Sequence, residues 1–161
     1  SYLAADDLDR FRPDRFPVWI WHGARTYYGF PAFGERAVKA AEDQGGAEVT
    51  ARTRSFDPDP EAIERLHRFV SDLIPGLGAP VLTKTCLYTM TPDRDFVISA
   101  LPGRTGIVAA VADGHGFKFA SLLGRMLAEI ALGRTPSPDL ERFRADRPAL
   151  AAGRDPSPAR V

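Results

Sequence analysis

The chain has 161 residues, with 21 basic and 21 acidic side chains, 44% apolar residues and a single cysteine. Zero formal net charge argues against an electrostatic nucleic-acid binder, which needs Lys and Arg clustered and in excess. The longest apolar stretches, such as residues 107–112, are far too short to span a bilayer, so the composition reads as a soluble, cytoplasmic protein of about one domain.

Ser1 to Arg15 reads as linker and loop within a longer chain. Phe16 to His22 is aromatic and β-branched, bounded by Pro17 and Gly23, and predicts a strand; Thr26 to Phe33 reads as its hairpin partner. Val38 to Gln44 extends as a third strand that Gln44-Gly45-Gly46 ends. Asp57-Pro58-Asp59-Pro60 then supplies a stop and a cap. Apolar residues at Ile63, Leu66, Phe69, Val70, Leu73 and Ile74 recur at helical spacing, and the helix should stop at Ile74, before Pro75-Gly76. Val81 to Met90 and Phe96 to Leu101 read as strands joined by Thr91-Pro92-Asp93-Arg94-Asp95. Gly106 to Ala112 is a continuous apolar run of the kind buried on both faces. Asp113-Gly114-His115-Gly116 joins it to an amphipathic helix over Phe117 to Leu132, which Gly133 terminates. Leu140 and Phe143 suggest a docked segment, and 148–161 reads as a flexible tail.

Few residues stand out for chemistry. The basic residues are nearly all arginine, so Lys39, Lys84 and Lys118 are worth weighing one by one. A strand feeding a Gly-x-Gly turn into a helix gathers free backbone N–H groups and the positive end of the helix dipole, which binds an anion or an electron-rich ring edge. On structure alone such a turn is most often only a tight turn. Lys118 adds weight to the functional reading, because a cation is electrostatically disfavoured in a first helical turn and one retained there suggests a bound anion. The turn is not a dinucleotide fingerprint: Phe119 stands at the third-glycine position and no acidic strand end follows at the expected distance. Cys86 cannot close an internal disulfide, and so is a buried small residue, a reactive thiol or an attachment point. His22 and His115 lack metal-ligand spacing, which argues against a metal site. No Gly-x-Ser-x-Gly elbow is present, so nucleophilic hydrolysis fits poorly.

Four ordered segments together resemble the C-terminal part of the monomeric sarcosine oxidase and N-methyltryptophan oxidase family. These flavin-dependent amine oxidases have a D-amino-acid-oxidase-like fold. The segments are YYGFPAFG (Tyr27 to Gly34) with Lys39 five residues on, CLYTMTPDRDFVI (Cys86 to Ile98), GHGFKF (Gly114 to Phe119) and RPAL (Arg147 to Leu150), and the likeness covers roughly residues 16–150. The resemblance implies that Cys86 carries FAD through a thioether to the 8α-methyl group. It implies that Lys39 promotes the reaction of flavin with O₂, that Tyr28 lies near the substrate, and that Lys118 helps bind the substrate carboxylate. The backbone of Gly114, His115, Gly116, Phe117 and Lys118 would face the pyrimidine edge of the flavin. The substrate would be a small secondary amine acid, with O₂ as oxidant and hydrogen peroxide as product.

Two departures stand against a simple transfer. Asp43 occupies the place where the family carries a histidine four residues after the lysine. The family's Gly-x-Gly-x-x-Gly βαβ unit, which holds the adenosine and pyrophosphate of FAD, is not in this sequence and is expected to precede it in the same chain. The expected fold is therefore α+β, lacking that Rossmann unit: an antiparallel sheet of a substrate domain over 16–101, then a returning strand and helix of an FAD-binding domain over 102–147. That helix would leave part of its stripe exposed, including Leu122, Leu123, Met126 and Ile130. Alone, such a chain should turn over little or nothing. The alternatives are a non-catalytic or subunit-paired module of the same fold, and a related amino-acid oxidoreductase without covalent FAD.

Overall fold

The structure is a computed structural model that describes residues 1–43, 46–137 and 139–151. It is mixed α/β with antiparallel sheets, and it divides into two compact units, Ser1–Cys86 and Leu87–Val161. The division falls earlier than the 101/102 boundary expected from sequence.

The first unit is a five-stranded antiparallel sheet with one helix on one face. Its strands are β1 (Tyr2–Ala5), β2 (Trp19–His22), β3 (Thr26–Phe30), β4 (Val38–Asp43) and β5 (Leu77–Leu82), in the order β2-β3-β4-β1-β5. The linker expected over 1–15 is thus corrected. β1 sits between β4 and β5, and Leu3 (0% exposed) and Phe11 (2%) are core residues. The polar run around them hid two isolated apolar side chains that the tertiary fold buries. The third strand is described as far as Asp43; Gln44 and Gly45, the expected stop, lie outside the described residues.

Register sorts the sheet residues between two faces, because successive side chains of a strand point to opposite sides. Leu3 pairs with Val38, Gly29 with Ala40 and Tyr27 with Glu42. This set faces helix α1 (Pro60–Leu73), whose Leu66 and Val70 are buried in the same cluster while Phe69 stacks on Tyr27 at 4.0 Å between ring centroids. The helix starts as the sequence reading expects: the Asp59 carboxylate accepts the Glu61 N–H at 2.9 Å, and Pro60 follows. A cap of this kind contributes about 1 kcal/mol. The helix ends at Leu73, with Ile74 as its cap. Trp19 lies directly across from Gly29, where a Cβ would sit 2.5 Å from the indole, so only glycine lets this cross-strand pair form.

The second unit pairs β6 (Val97–Ala100) with β7 (Val108–Val111) and packs helix α2 (Ala120–Ala131) against them, after a 3-10 turn over Gly116–Phe119. Three expectations change here. β7 is an edge strand with one partner and partly exposed side chains, not one buried on both faces. Lys118 falls in the 3-10 turn and not in the first turn of the α-helix. The stripe of α2 is only partly open: Leu123 and Met126 are buried against Ile98, Ile130 packs on the cluster, and Leu122 is exposed. Leu140 and Phe143 dock on this cluster as expected. The tail begins with one helical turn, Pro148–Ala151, and 152–161 lies outside the described residues.

Candidate functional site

In the first unit the candidate residues Lys39 and Tyr28 lie on the sheet face opposite α1. Lys39 alternates with the buried Val38 and Ala40, so it projects to that open side, and its register neighbours are Tyr2 and Phe30. Tyr28, paired with Ala41, shares the face. The Lys39 ammonium lies 5.0 Å from the Phe30 ring centroid and 5.6 Å from that of Tyr28, within cation–π range. It borders an open recess of about 310 Å³ lined by Tyr2, Pro13, Val18, Phe30, Pro31, Phe33 and Lys39. An ammonium whose described partners are aromatic rings can stabilise negative charge that arises beside it. Tyr28 and Lys39, both taken from sequence, are therefore brought together. The aromatic Phe30 and Phe33 of the same segment complete the recess and were not singled out by sequence reasoning. Their signal was their alternation with Tyr28 along one strand and the turn after it.

Asp43 lies on this same face, four residues along β4 from Lys39, or about 13 Å at the rise of a strand. The departure at Asp43 thus changes the charge on the same sheet face, though at some distance from the ammonium.

Cys86 ends the first unit and is exposed. The strand expected over 81–90 stops at Leu82, because β1 offers its last pairing there, Tyr2 with Leu82. Beyond it the backbone has no ladder to join. Ser1 bridges the neighbourhood: its amino group donates to the Ala40 carbonyl at 2.8 Å, and its hydroxyl meets that of Thr83 at 2.9 Å. The residue after Lys39 and the residue three before Cys86 therefore flank the same end of β1. An exposed thiol is available for attachment, unlike the packed cysteine that a strand position suggests.

In the second unit three of the ordered sequence segments are tied into one structure. At the turn after β7, Asp113 (φ 42°) and Gly114 (φ 76°) are both left-handed, and the His115 N–H closes the turn on the Ala112 carbonyl at 3.0 Å. Gly114 is obligatory twice over, since a Cβ there would also lie 2.7 Å from the Tyr88 ring. The Asp113 side chain is buried, and its Oδ1 accepts the Thr91 N–H at 2.8 Å and is approached by the Thr91 hydroxyl at 3.2 Å. That hydroxyl also donates to the Asp95 carbonyl at 2.8 Å. From the other side, Arg147 grips Asp93 with two bonds of 2.7 and 2.8 Å and donates to the carbonyls of Phe96 and Asp95. Arg142 makes a bidentate pair with Asp95 at 2.7 and 3.0 Å. The Arg147 bonds hold the Asp93 carboxyl at about 2, well below its ordinary value of 3.8. The residues 91–95, 113–116 and 147 thus form one hydrogen-bonded frame.

The frame presents the turn outward. Phe117 is 95% exposed, Lys118 is exposed with its ammonium 5.5 Å from the Phe119 ring centroid, and His115 packs on Phe96 while its Nδ1–H donates to the Asp113 carbonyl at 2.9 Å. Among the described residues no group of His, Cys, Asp and Glu is arranged for a metal, and no helix is long and apolar enough to cross a membrane.

Residues 1–130 match the FAD dependent oxidoreductase family, to which the chain belongs. It is 38% identical over 139 residues to an N-methyl-L-tryptophan oxidase of Salmonella typhi, covering 83% of this chain and 37% of that protein. It is 36% identical over 139 residues to the monomeric sarcosine oxidase of Bacillus sp. (strain NS-129), covering 84% of this chain and 35% of that protein. The chain thus spans little more than a third of the length of these relatives.

Proposed function

We propose that this chain supplies the substrate-facing sheet and the flavin-edge turn of an FAD-dependent oxidase acting on secondary amino acids of the sarcosine or N-methyl amino acid type. The observation that carries the reading is the Lys39 ammonium set against Tyr28 and Phe30 over an apolar recess. Two further features fit an isoalloxazine ring: the exposed Cys86 thiol, and the outward-facing turn at Gly114 to Lys118, where Phe117 and Lys118 are exposed.

FAD, when bound, supplies the two-electron oxidation that turns the amine into an imine and passes the electrons to O₂, giving hydrogen peroxide. The residues of this chain supply position and charge. Cys86 would tether the ring through a thioether. The backbone of Gly114, His115, Gly116, Phe117 and Lys118 would lie against its pyrimidine edge, where N–H dipoles favour negative charge. Lys118 would bind the substrate carboxylate and so hold the reacting C–H bond in line. Tyr28 would border the substrate. Lys39 would stabilise the negative charge that develops on O₂ as it accepts an electron. The adenosine and pyrophosphate site belongs to the βαβ unit expected ahead of Ser1, and without it the chain should show little or no turnover.

The test is peroxide release by the FAD-loaded full-length protein with sarcosine, N-methyl-L-tryptophan and the corresponding primary amino acids. Peroxide and imine hydrolysis products formed in equal amounts from an N-methyl amino acid support the reading. A protein that binds FAD yet oxidises none of these amines refutes it.

A further inference from the structure

We propose that Asp113 is a positioning residue: its carboxylate, latched by Thr91, sets the shape of the Ala112–Gly116 turn so that the backbone following Gly114 meets the edge of the flavin ring. The inference rests on the flavin-edge assignment above and adds a residue that the ordered motifs do not contain.

The latch answers a specific problem in the chain. Asp113 is a non-glycine residue at φ 42°, a region that side-chain-bearing residues rarely hold, and it stands next to Gly114 at φ 76°. Two left-handed residues in a row make a tight reversal whose exit direction depends on both. Nothing in Asp113's own backbone favours that state over an extended one. The side chain supplies the preference: it is 5% exposed, and its Oδ1 takes the Thr91 N–H at 2.8 Å, a donor that no solvent would satisfy at this depth. Thr91 is itself fixed, because its hydroxyl donates to the Asp95 carbonyl at 2.8 Å and Arg147 also donates to that carbonyl at 3.0 Å. The anchor therefore runs from Arg147 through the 93–95 loop to Thr91 and ends at the residue that opens the turn. The turn has no slack to absorb an error, since a Cβ at Gly114 would meet Tyr88 at 2.7 Å and one at Gly116 would meet the Ala112 Cβ at 2.1 Å. The Thr91 N–H bond and the nearby Thr91 hydroxyl converge on one carboxylate oxygen, so an amide oxygen could replace it and the negative charge is not what the latch uses.

Sulfite provides a readout that does not depend on turnover. It adds through its lone pair to N5 of an oxidised flavin, leaving the negative charge at N1 and the C2 carbonyl and bleaching the visible absorbance. Its dissociation constant therefore reports how well the ring edge is met. In the FAD-loaded full-length protein, Asp113→Gly keeps the left-handed backbone accessible and removes the latch, and should weaken sulfite binding by about tenfold, a fraction of what complete removal of such a donor costs. Asp113→Asn should stay within about threefold of the parent, since it keeps the accepting oxygen. Thr91→Val should weaken binding in the same direction as Asp113→Gly. Unchanged sulfite affinity in Asp113→Gly or Thr91→Val overturns the proposal, as does an Asp113→Asn variant as weak as Asp113→Gly. Loss of far-ultraviolet circular dichroism in both Asp113→Gly and Thr91→Val would assign the latch to folding alone and also overturn it. A parent protein that binds FAD but no sulfite counts against the flavin-edge assignment itself, whereas strong parent binding with unaffected variants counts against Asp113 only.

Discussion

Lys39 illustrates how a single residue acquires meaning from its neighbours. On a strand edge a lysine is usually a solvated cation. Here Phe30 pairs with it across the ladder and Tyr28 stands on the same face, so its ammonium borders an apolar recess. Lys39→Met should slow reoxidation of the FAD-loaded protein by O₂ by about 10²-fold or more, the scale of losing one group that stabilises a developing negative charge. Stopped-flow absorbance under varied O₂ checks this, and an unchanged rate removes the assignment. Cys86 was legible as one of three kinds of cysteine, and its exposure narrows the choice. Acid precipitation of the FAD-loaded protein should give a yellow pellet, and a colourless one after Cys86→Ser with yellow supernatant. A yellow pellet from the serine variant would place the attachment elsewhere.

At the scale of elements, the hairpin β2–β3 and the 91–96 loop depend on contacts too tight for sequence periodicity to reveal. Gly29→Ala would drive a Cβ to 2.5 Å from the Trp19 indole, and should cost about 1–3 kcal/mol in denaturant unfolding as the ring is forced aside. A change within error would mean that the ring moves freely. Asp93 and Arg147 carry a pH-dependent term. Because the folded-state pKa of Asp93 is depressed to about 2 from 3.8, its contribution is present above pH 3.8 and is lost as the pH falls through 2. The size of that shift corresponds to ~2 kcal/mol for this largely screened-from-solvent pair. Arg147→Ala also removes the bonds to the Phe96 and Asp95 carbonyls, so it should lower stability at pH 6 by at least this amount and flatten the fall below pH 4. Parallel acid curves for parent and variant would show that the pair contributes nothing net.

Over the whole molecule, balanced charge makes a simple expectation about partners. With 21 basic and 21 acidic residues, the chain should pass unretained through a polyanion column at about 0.15 M salt, where exposed charges are screened beyond ~8 Å. Retention would reveal a basic patch that the net charge conceals. The relatives are more than twice as long as this chain, and the exposed Val18, Phe33 and Phe117 belong to surfaces that the proposed function places against a cofactor and substrate.

The sequence by itself determined the elements with strong local signals and the family. The Asp59-Pro60 cap and 3.6-residue period set α1; aromatic and β-branched content between Pro and Gly set β2 and β3; and four ordered motifs carried the likeness that the family match bears out. It did not reveal that 2–5 form an inner strand, that 83–90 lack a ladder partner, or that Leu123 and Met126 are covered. Those outcomes depend on which distant segment supplies a hydrogen-bonding edge or an apolar surface, and neither is encoded in local spacing. The tertiary structure alone decided that Thr91, Asp113 and Arg147 form one frame, because a hydrogen bond across 22 or 54 residues leaves no periodic trace in the chain.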